Sequence, residues 1–375
     1  MARSQKNWII IPTELIGSLP RAAELVEAQR AHKYRELSTN RLTFLQEKDI
    51  RHVLRDLART GSLQLTDGEL TKPSFLNYPI YDLAQYNYSF DGKNITTITY
   101  ADGHRRCLPQ LIKSPFRYST FAVKYLRAAQ KYTLRPLKQA VVAPSVLSLV
   151  YNGETIKNYS REQFLNDLID EAEKDVRQCL EAGADKVQLD FAKARLSLKM
   201  DPSGNLLKEF IDINNRMLDR FNEEERKKLG VHVCSGNDRG STHSADVDCS
   251  RILNELFQLK LNNFYLQMTT ELDPDSILSL IGKLIKPHHR VFIGVINPRD
   301  LHVETSEIVR DRVLTAAKYI PIEQLGTTDD CGFSPYNDNE LITREKCYEK
   351  IRARVEGTKL AEEILNLSMQ KIRWI

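Results

Sequence analysis

The 375-residue chain carries 54 basic and 50 acidic side chains, interspersed to a net charge of only +4, so no basic face for nucleic acid or an anionic membrane is expected. With 41% hydrophobic and 28% charged residues, 16 Gly and 14 Pro, collagen-like, low-complexity and largely disordered architectures are excluded. The length suits one embellished barrel or two ordinary domains. The longest apolar run, 141–151, is broken by Pro144, Ser145 and Ser148 and falls short of the roughly 18 residues a membrane span needs. The basic start leads only into Trp8, Ile9, Ile10 and Ile11 before Pro12, too short for a signal-peptide core, so a cytoplasmic location is expected. Six sparse cysteines (107, 179, 234, 249, 331 and 347) then read as thiols or metal ligands rather than a disulfide framework.

In chain order, strands are predicted at Trp8–Pro12, Ser62–Thr66 and Gln139–Ala143, with helices at Ala22–Tyr34 and Ile50–Thr60 between them. The stretch 78–117 reads as an insertion or hairpin region. A helix over Ser160–Gly183 declares both its ends: Ser160 and Gln163 have capping-box spacing, and Gly183 supplies the stop. Its apolar residues, Cys179 included, recur at three- and four-residue steps, which gives one buried stripe. Strands at Lys186–Asp190, Gly230–Cys234, Asn263–Met268, Arg290–Ile296 and Gln324–Thr328 then alternate with helices at Leu206–Phe221, Ile252–Leu259, Ser276–Ile285 and Ser306–Ala317, and Glu345–Leu367 closes the chain. Eight strand–helix units predict an α/β fold, a single (β/α)8 TIM barrel over 1–375 with its insertion in the first half. An open doubly wound sheet is the alternative, but no G-x-G-x-x-G loop follows a strand.

Barrels place their chemistry at the C-terminal ends of their strands. Ser18, Asp67, Glu69, Asp190, His232, Cys234, Gln267, Asn297, Arg299 and Cys331 all fall at such ends. His232 and Cys234, at i and i+2 of a strand, face one side. Cys331 lies 97 positions further on, in a loop able to reach across a barrel mouth. One imidazole and two thiolates are three of the four ligands of a catalytic zinc, with one position left for substrate. His243, in a polar loop, is ambiguous.

With these residues in view, the chain resembles the cobalamin-independent methionine synthase superfamily, in its C-terminal catalytic barrel and in single-barrel relatives that include epoxyalkane:coenzyme M transferase. Ile16–Arg21 (IGSLPR), Asp67–Glu69 (DGE), Gln188–Asp190 (QLD), His232–Cys234 (HVC) and Asp329–Phe333 (DDCGF) are similar to the family's motifs, in the family's order. The resemblance implies a zinc-dependent transferase that activates a thiol as thiolate for transfer of an alkyl group, of which methyl is one. Its cofactor would be zinc on His232, Cys234 and Cys331, and its partners a small-molecule thiol and an alkyl donor. Ser18, Glu69, Asp190 and Gln267 would bind substrate; Asp190, Glu69 and Arg299 would be catalytic, with Arg299 able to recognise an anionic group.

There are three departures from the family pattern. Gln267 stands where a Glu is the fourth zinc ligand, and Glu271 lies nearby. Val150, followed by Tyr151, stands where a Trp stacks on folate. Asn297 and Arg299 stand where an Asp and a His are expected. Thiol addition to an epoxide, or the reverse lyase reaction, is therefore an alternative. A non-catalytic zinc-binding barrel is another, and a metal-free barrel like that of uroporphyrinogen decarboxylase a third.

Overall fold

The structure, a computed structural model, describes residues 8–81, 83, 86–87, 96–151, 156–336 and 341–372. Six short, almost wholly buried runs form its central sheet: β1 (Lys138–Val142), β2 (Lys186–Asp190), β3 (Leu229–Val233), β4 (Asn263–Leu266), β5 (Arg290–Ile296) and β6 (Leu325–Asp329). All five pairings are parallel and follow chain order, so each connection is a crossover.

Helices α1 (Ala23–Lys33), α2 (Thr39–Arg59) and α3 (Val123–Gln130) precede β1. The crossovers carry α4 (Arg161–Glu181), α5 (Ala194–Met200), α6 (Asn205–Leu218), α7 (Ser250–Leu256), α8 (Pro274–Leu284) and α9 (Ser306–Ala316), and α10 (Arg344–Ile372) follows β6. The α4 cap is as expected: Gln163 N donates to Ser160 Oγ at 3.2 Å and Ser160 N donates to Gln163 Oε1 at 2.7 Å. Cys179 is fully buried on the apolar face of this helix. Among the described residues, no helix is long and apolar enough to cross a membrane.

The expected α/β class with a parallel sheet is present, but among the described residues the ladder has six strands, not eight. Just past the expected first strand, Trp8–Pro12, and within the second, Ser62–Thr66, the described residues form only single parallel bridges, Thr13 to Thr327 and Leu65 to Leu137. Local competition for backbone groups accounts for this. Ile9 N and Ile11 N donate to Asn366 Oδ1 and Glu362 Oε1 of α10 rather than to a ladder, and Pro12 has no N–H to give. The Ser62 carbonyl is occupied by Arg135 Nη1 at 2.6 Å. The two segments nevertheless meet, with Leu19 N donating to Gly68 O at 2.9 Å and Thr66 Oγ1 to Gly17 O at 3.0 Å.

Within the stretch 78–117, Thr97–Thr99 pairs antiparallel with Arg105–Cys107, and Tyr86–Asn87 with Gln110–Leu111. Residues 82, 84–85 and 88–95 of that stretch lie outside the described residues.

Candidate metal and substrate site

Strand register is what assembles the site. Asp190, the last residue of β2, pairs with His232 of β3, so an acid and an imidazole share one level at the C-terminal edge of the sheet. Cys234 follows β3 on the same face as His232, and its Sγ accepts from Gly236 N at 3.4 Å. Cys331 arrives two residues after β6, on a loop tied to its neighbours. Asp330 Oδ1 accepts from Met268 N at 2.9 Å and Thr269 N at 3.1 Å, and Gly332 O accepts from Asn237 Nδ2 at 2.8 Å.

These tethers bring the ligand atoms of His232, Cys234 and Cys331 within 4.8 Å of one another, with the two sulfurs 3.2 Å apart. All three residues are buried, and neither ring nitrogen of His232 has a hydrogen-bond partner. An imidazole left wholly unpaired in the interior is costly unless something accepts its lone pair, and a borderline-soft cation such as zinc suits this N,S,S donor set. The residues therefore fit a metal. The hydrogen bond with Cys331, aided by His232, holds the Cys234 thiol well below its usual range against the effect of burial, and Cys331 is pushed up in consequence. Burial works against a charged His232, but Cys234 and Asp190 outweigh it and raise its pKa.

A cleft of about 410 Å³, solvent at its mouth included, opens beside these ligands. Ser18, Glu69 and Asp190 line one part of it. Glu69 sits in a left-handed turn (φ 54°) after Gly68 (φ 67°), and Arg21 holds that turn by donating to the carbonyls of Glu69, Leu70 and Lys72 at 2.8–3.0 Å. Burial pushes the Glu69 carboxyl up to about 7; Lys72 opposes that shift while Asp190 and Asp67 add to it. Glu69 Oε2 has no partner. Asp190 is likewise raised, first by burial, and accepts from Gln188 Nε2 at 2.8 Å.

Gln267, Glu271 and Arg299 stand apart from that lining. Gln267 Oε1 accepts from Ser235 N at 2.8 Å and Ser235 Oγ at 3.0 Å, while its Nε2 donates to Thr270 Oγ1 at 2.6 Å. Its amide is thus committed to shaping the loop behind Cys234. Glu271 forms a buried ion pair with Arg195. Arg299 is half-buried, donates to Thr270 Oγ1 at 3.4 Å and lies close enough for its charge to act on Asp330 and Cys331. Asn297 Oδ1 accepts from Arg299 N at 3.0 Å.

Sequence reasoning missed Lys193, Asn237 and Tyr100, which also line the cleft, and left His243 undecided. Lys193 is only three residues past Asp190, so the strand-end rule reached its neighbourhood; lysine's usual place in solvent argued against it. Burial pulls the Lys193 ammonium down to about 8, opposed by Cys234, Asp238 and Cys331.

Gly332 shows how tightly the ring of loops closes. A Cβ there would stand 2.1 Å from Ser18 Oγ, which itself accepts from Ser334 N at 3.2 Å. Gly332→Ala is expected to displace Ser18 at an overpacking cost of about 1–3 kcal/mol. Urea denaturation of the variant against wild type checks this.

A sequence profile described as "Cobalamin-independent synthase, Catalytic domain" matches residues 11–346. The chain belongs to that family. It is thereby an enzyme of the methionine-synthase, methyltransferase type. Among curated relatives, the methionine synthase of Saccharolobus solfataricus is 23% identical over 359 residues, covering 95% of this chain and 96% of the relative. That of Sulfurisphaera tokodaii is 22% identical, covering 95% and 94%. Among solved structures, a B12-independent methionine synthase from Shewanella sp. W3-18-1 in complex with selenomethionine superposes with a TM-score of 0.74 at 20% identity, covering 95% of this chain and 98% of that one. A putative vitamin-B12 independent methionine synthase from Listeria monocytogenes gives 0.68 at 18%, covering 93% and 98%. At these identities the structural likeness speaks for the fold alone.

Proposed function

We propose that this chain is a cytoplasmic zinc-dependent transferase that activates a small thiol for transfer of an alkyl group, methyl in the first instance. The observation that carries the reading is the convergence of one unpaired imidazole and two sulfurs at the mouth of the sheet. The bridged segments around Thr13 and Leu65 are taken as the reduced first and second members of a (β/α)8 ring, with the hairpin region 78–117 as its insertion. Zinc held by His232, Cys234 and Cys331 would supply the Lewis acidity that keeps a thiol deprotonated near neutral pH.

The chain's own residues orient the substrate. Ser18, Glu69 and Asp190 bind the polar end of the thiol, with Glu69 Oε2 free to accept from an ammonium. Gln267 acts on substrate through the Ser235 loop that it shapes. Arg299, beside Cys331, meets an anionic group of the incoming donor.

The pH dependence of binding follows from Glu69. Below pH 7 its carboxyl is protonated and offers an ammonium no charge; above, the carboxylate forms. Affinity for an amine-bearing thiol is thus expected to rise as pH increases through about 7. Glu69→Gln flattens that rise and weakens binding roughly 10- to 100-fold, the worth of a charged hydrogen bond. A thiol lacking the amine shows neither effect in calorimetric titrations. The same raised pKa means that the stability Glu69 contributes below its unfolded value of 4.5 is lost as pH rises through about 7.

The donor is chosen by what surrounds position 150. Val150 is buried, and the Tyr151 ring stacks on Phe164 at 4.9 Å with its hydroxyl donating to Tyr159 O at 2.7 Å. Among the described residues at this point neither Val150 nor the already stacked Tyr151 offers a free broad ring to a pterin, which favours thiol addition to an epoxide as the second reading. Zinc-loaded protein assayed with homocysteine and methyltetrahydrofolate, and separately with small thiols and epoxides, decides between them. Absence of alkylation in both, by a protein that holds zinc, overturns the transferase reading.

A further inference from the structure

Lys193 is 1% exposed, lines the cleft beside the three metal-ligand candidates, and its Nζ has no hydrogen-bond partner. Its backbone is fixed at the start of α5: Lys193 O accepts from Ser197 N at 2.9 Å, and Ala194 N donates to Phe191 O at 3.2 Å. An ammonium taken out of water without a partner is unfavourable, and such groups are kept where a ligand supplies the missing charge.

The acid whose field reaches it, Asp238, is already satisfied. Arg106 grips that carboxylate through Nε at 2.6 Å and Nη2 at 3.1 Å, and His104 Nε2 lies 3.0 Å away. The two cysteine sulfurs, once deprotonated, balance the charge of a divalent ion and leave no surplus for Lys193. Among the described residues of the cleft lining, Lys193 is the single Lys or Arg, set against the acidic pair Glu69 and Asp190. The cleft therefore carries two signs of charge: an acidic part suited to an ammonium, and one cation suited to an anion.

We infer that Lys193 is the substrate-recognition residue that binds an anionic group, carboxylate or sulfonate, on the thiol substrate. This rests on the thiol-activating reading of the site and makes Lys193 the residue of this chain that selects thiols bearing a second, negatively charged group. The rival role for the same ammonium is to face the substrate sulfur itself, which would make it indifferent to the remote end.

Calorimetric titration of zinc-loaded protein with four thiols of similar length separates the two roles: 3-mercaptopropionate, 2-mercaptoethanesulfonate, 2-mercaptoethanol and cysteamine. The wild type is expected to prefer an anionic thiol to 2-mercaptoethanol by roughly 10- to 100-fold, the range of one charged hydrogen bond. The carboxylate and sulfonate arms tell which anion it is built for. Lys193→Met, which keeps the stem and removes the charge, is expected to abolish that preference and to leave 2-mercaptoethanol within about threefold of wild type. Lys193→Arg retains part of the preference, and a thermal melt verifies that both variants are folded.

Equal weakening of all four thiols in Lys193→Met, or an anion preference that survives it, overturns the assignment while the thiol reading stands. Failure of every thiol to bind the zinc-loaded wild type overturns both.

Discussion

Cys331→Ala is expected to yield a folded chain that no longer retains zinc. Three side chains are all that the described residues offer the ion, and removing one sulfur leaves only His232 and Cys234. Loss of a mere outer-shell partner costs zinc sites about 10- to 100-fold in affinity, so loss of a direct ligand should exceed roughly 100-fold. Alkyl transfer should fall to background with it. The fold should persist, because the Cys331 loop is held by contacts that do not involve its sulfur: Asp330 to Met268 and Thr269, and Gly332 to Asn237. Chelator competition and metal analysis of wild type and variant make the measurement. A variant that keeps one zinc per chain at wild-type affinity would remove the foundation of the proposed chemistry. Cys347→Ala is the control, being a buried thiol on α10 outside the ligand group.

The convergence of His232, Cys234 and Cys331 was legible in the sequence for a geometric reason. The i, i+2 spacing of His232 and Cys234 fixes their common face as soon as a strand is assigned, and Cys331 follows the last strand by two residues. The fate of Gln267 was not legible. Its position at the end of β4 suggested the cleft, whereas its amide is spent on Ser235 and Thr270, and only three-dimensional hydrogen-bond accounting shows that. Lys193 escaped because residue type is a poor guide to burial when a lysine sits at a helix start just after a strand. In the fold, the short strands declared themselves by alternating with amphipathic helices at a regular tempo, the mark of a parallel sheet with helical crossovers. Trp8–Pro12 and Ser62–Thr66 looked alike by composition, but distant side chains on α10 and Arg135 occupy the backbone groups a ladder would need.

That same N-terminal segment is the subject of the largest expected loss of stability. Arg354, on α10, is wholly buried and forms an ion pair with Asp329 at the end of β6. Its Nη1 also donates to Glu14 O at 2.9 Å, and Asp329 Oδ2 accepts from Ile16 N at 3.2 Å. Two charges thus pin the chain start, the last strand and the last helix together, just below Ser18. Arg354→Met strands the Asp329 carboxylate in the interior, at a cost of about 3–5 kcal/mol, a large share of the ~5–15 kcal/mol that stabilises an ordinary domain. Burial already raises the Asp329 pKa against the opposing effect of Arg354, and without that guanidinium it rises further. A carboxyl with a raised folded pKa contributes stability that is lost as pH increases through that value, so the deficit of the variant should shrink in mild acid and widen in mild alkali. Adding Asp329→Leu should recover much of the loss, since an apolar pair leaves no charge stranded. Urea denaturation of the two single variants and the double variant, at both pH values, makes the cycle. If the double variant is as unstable as the sum of the singles, the two side chains act independently and the pin is not electrostatic.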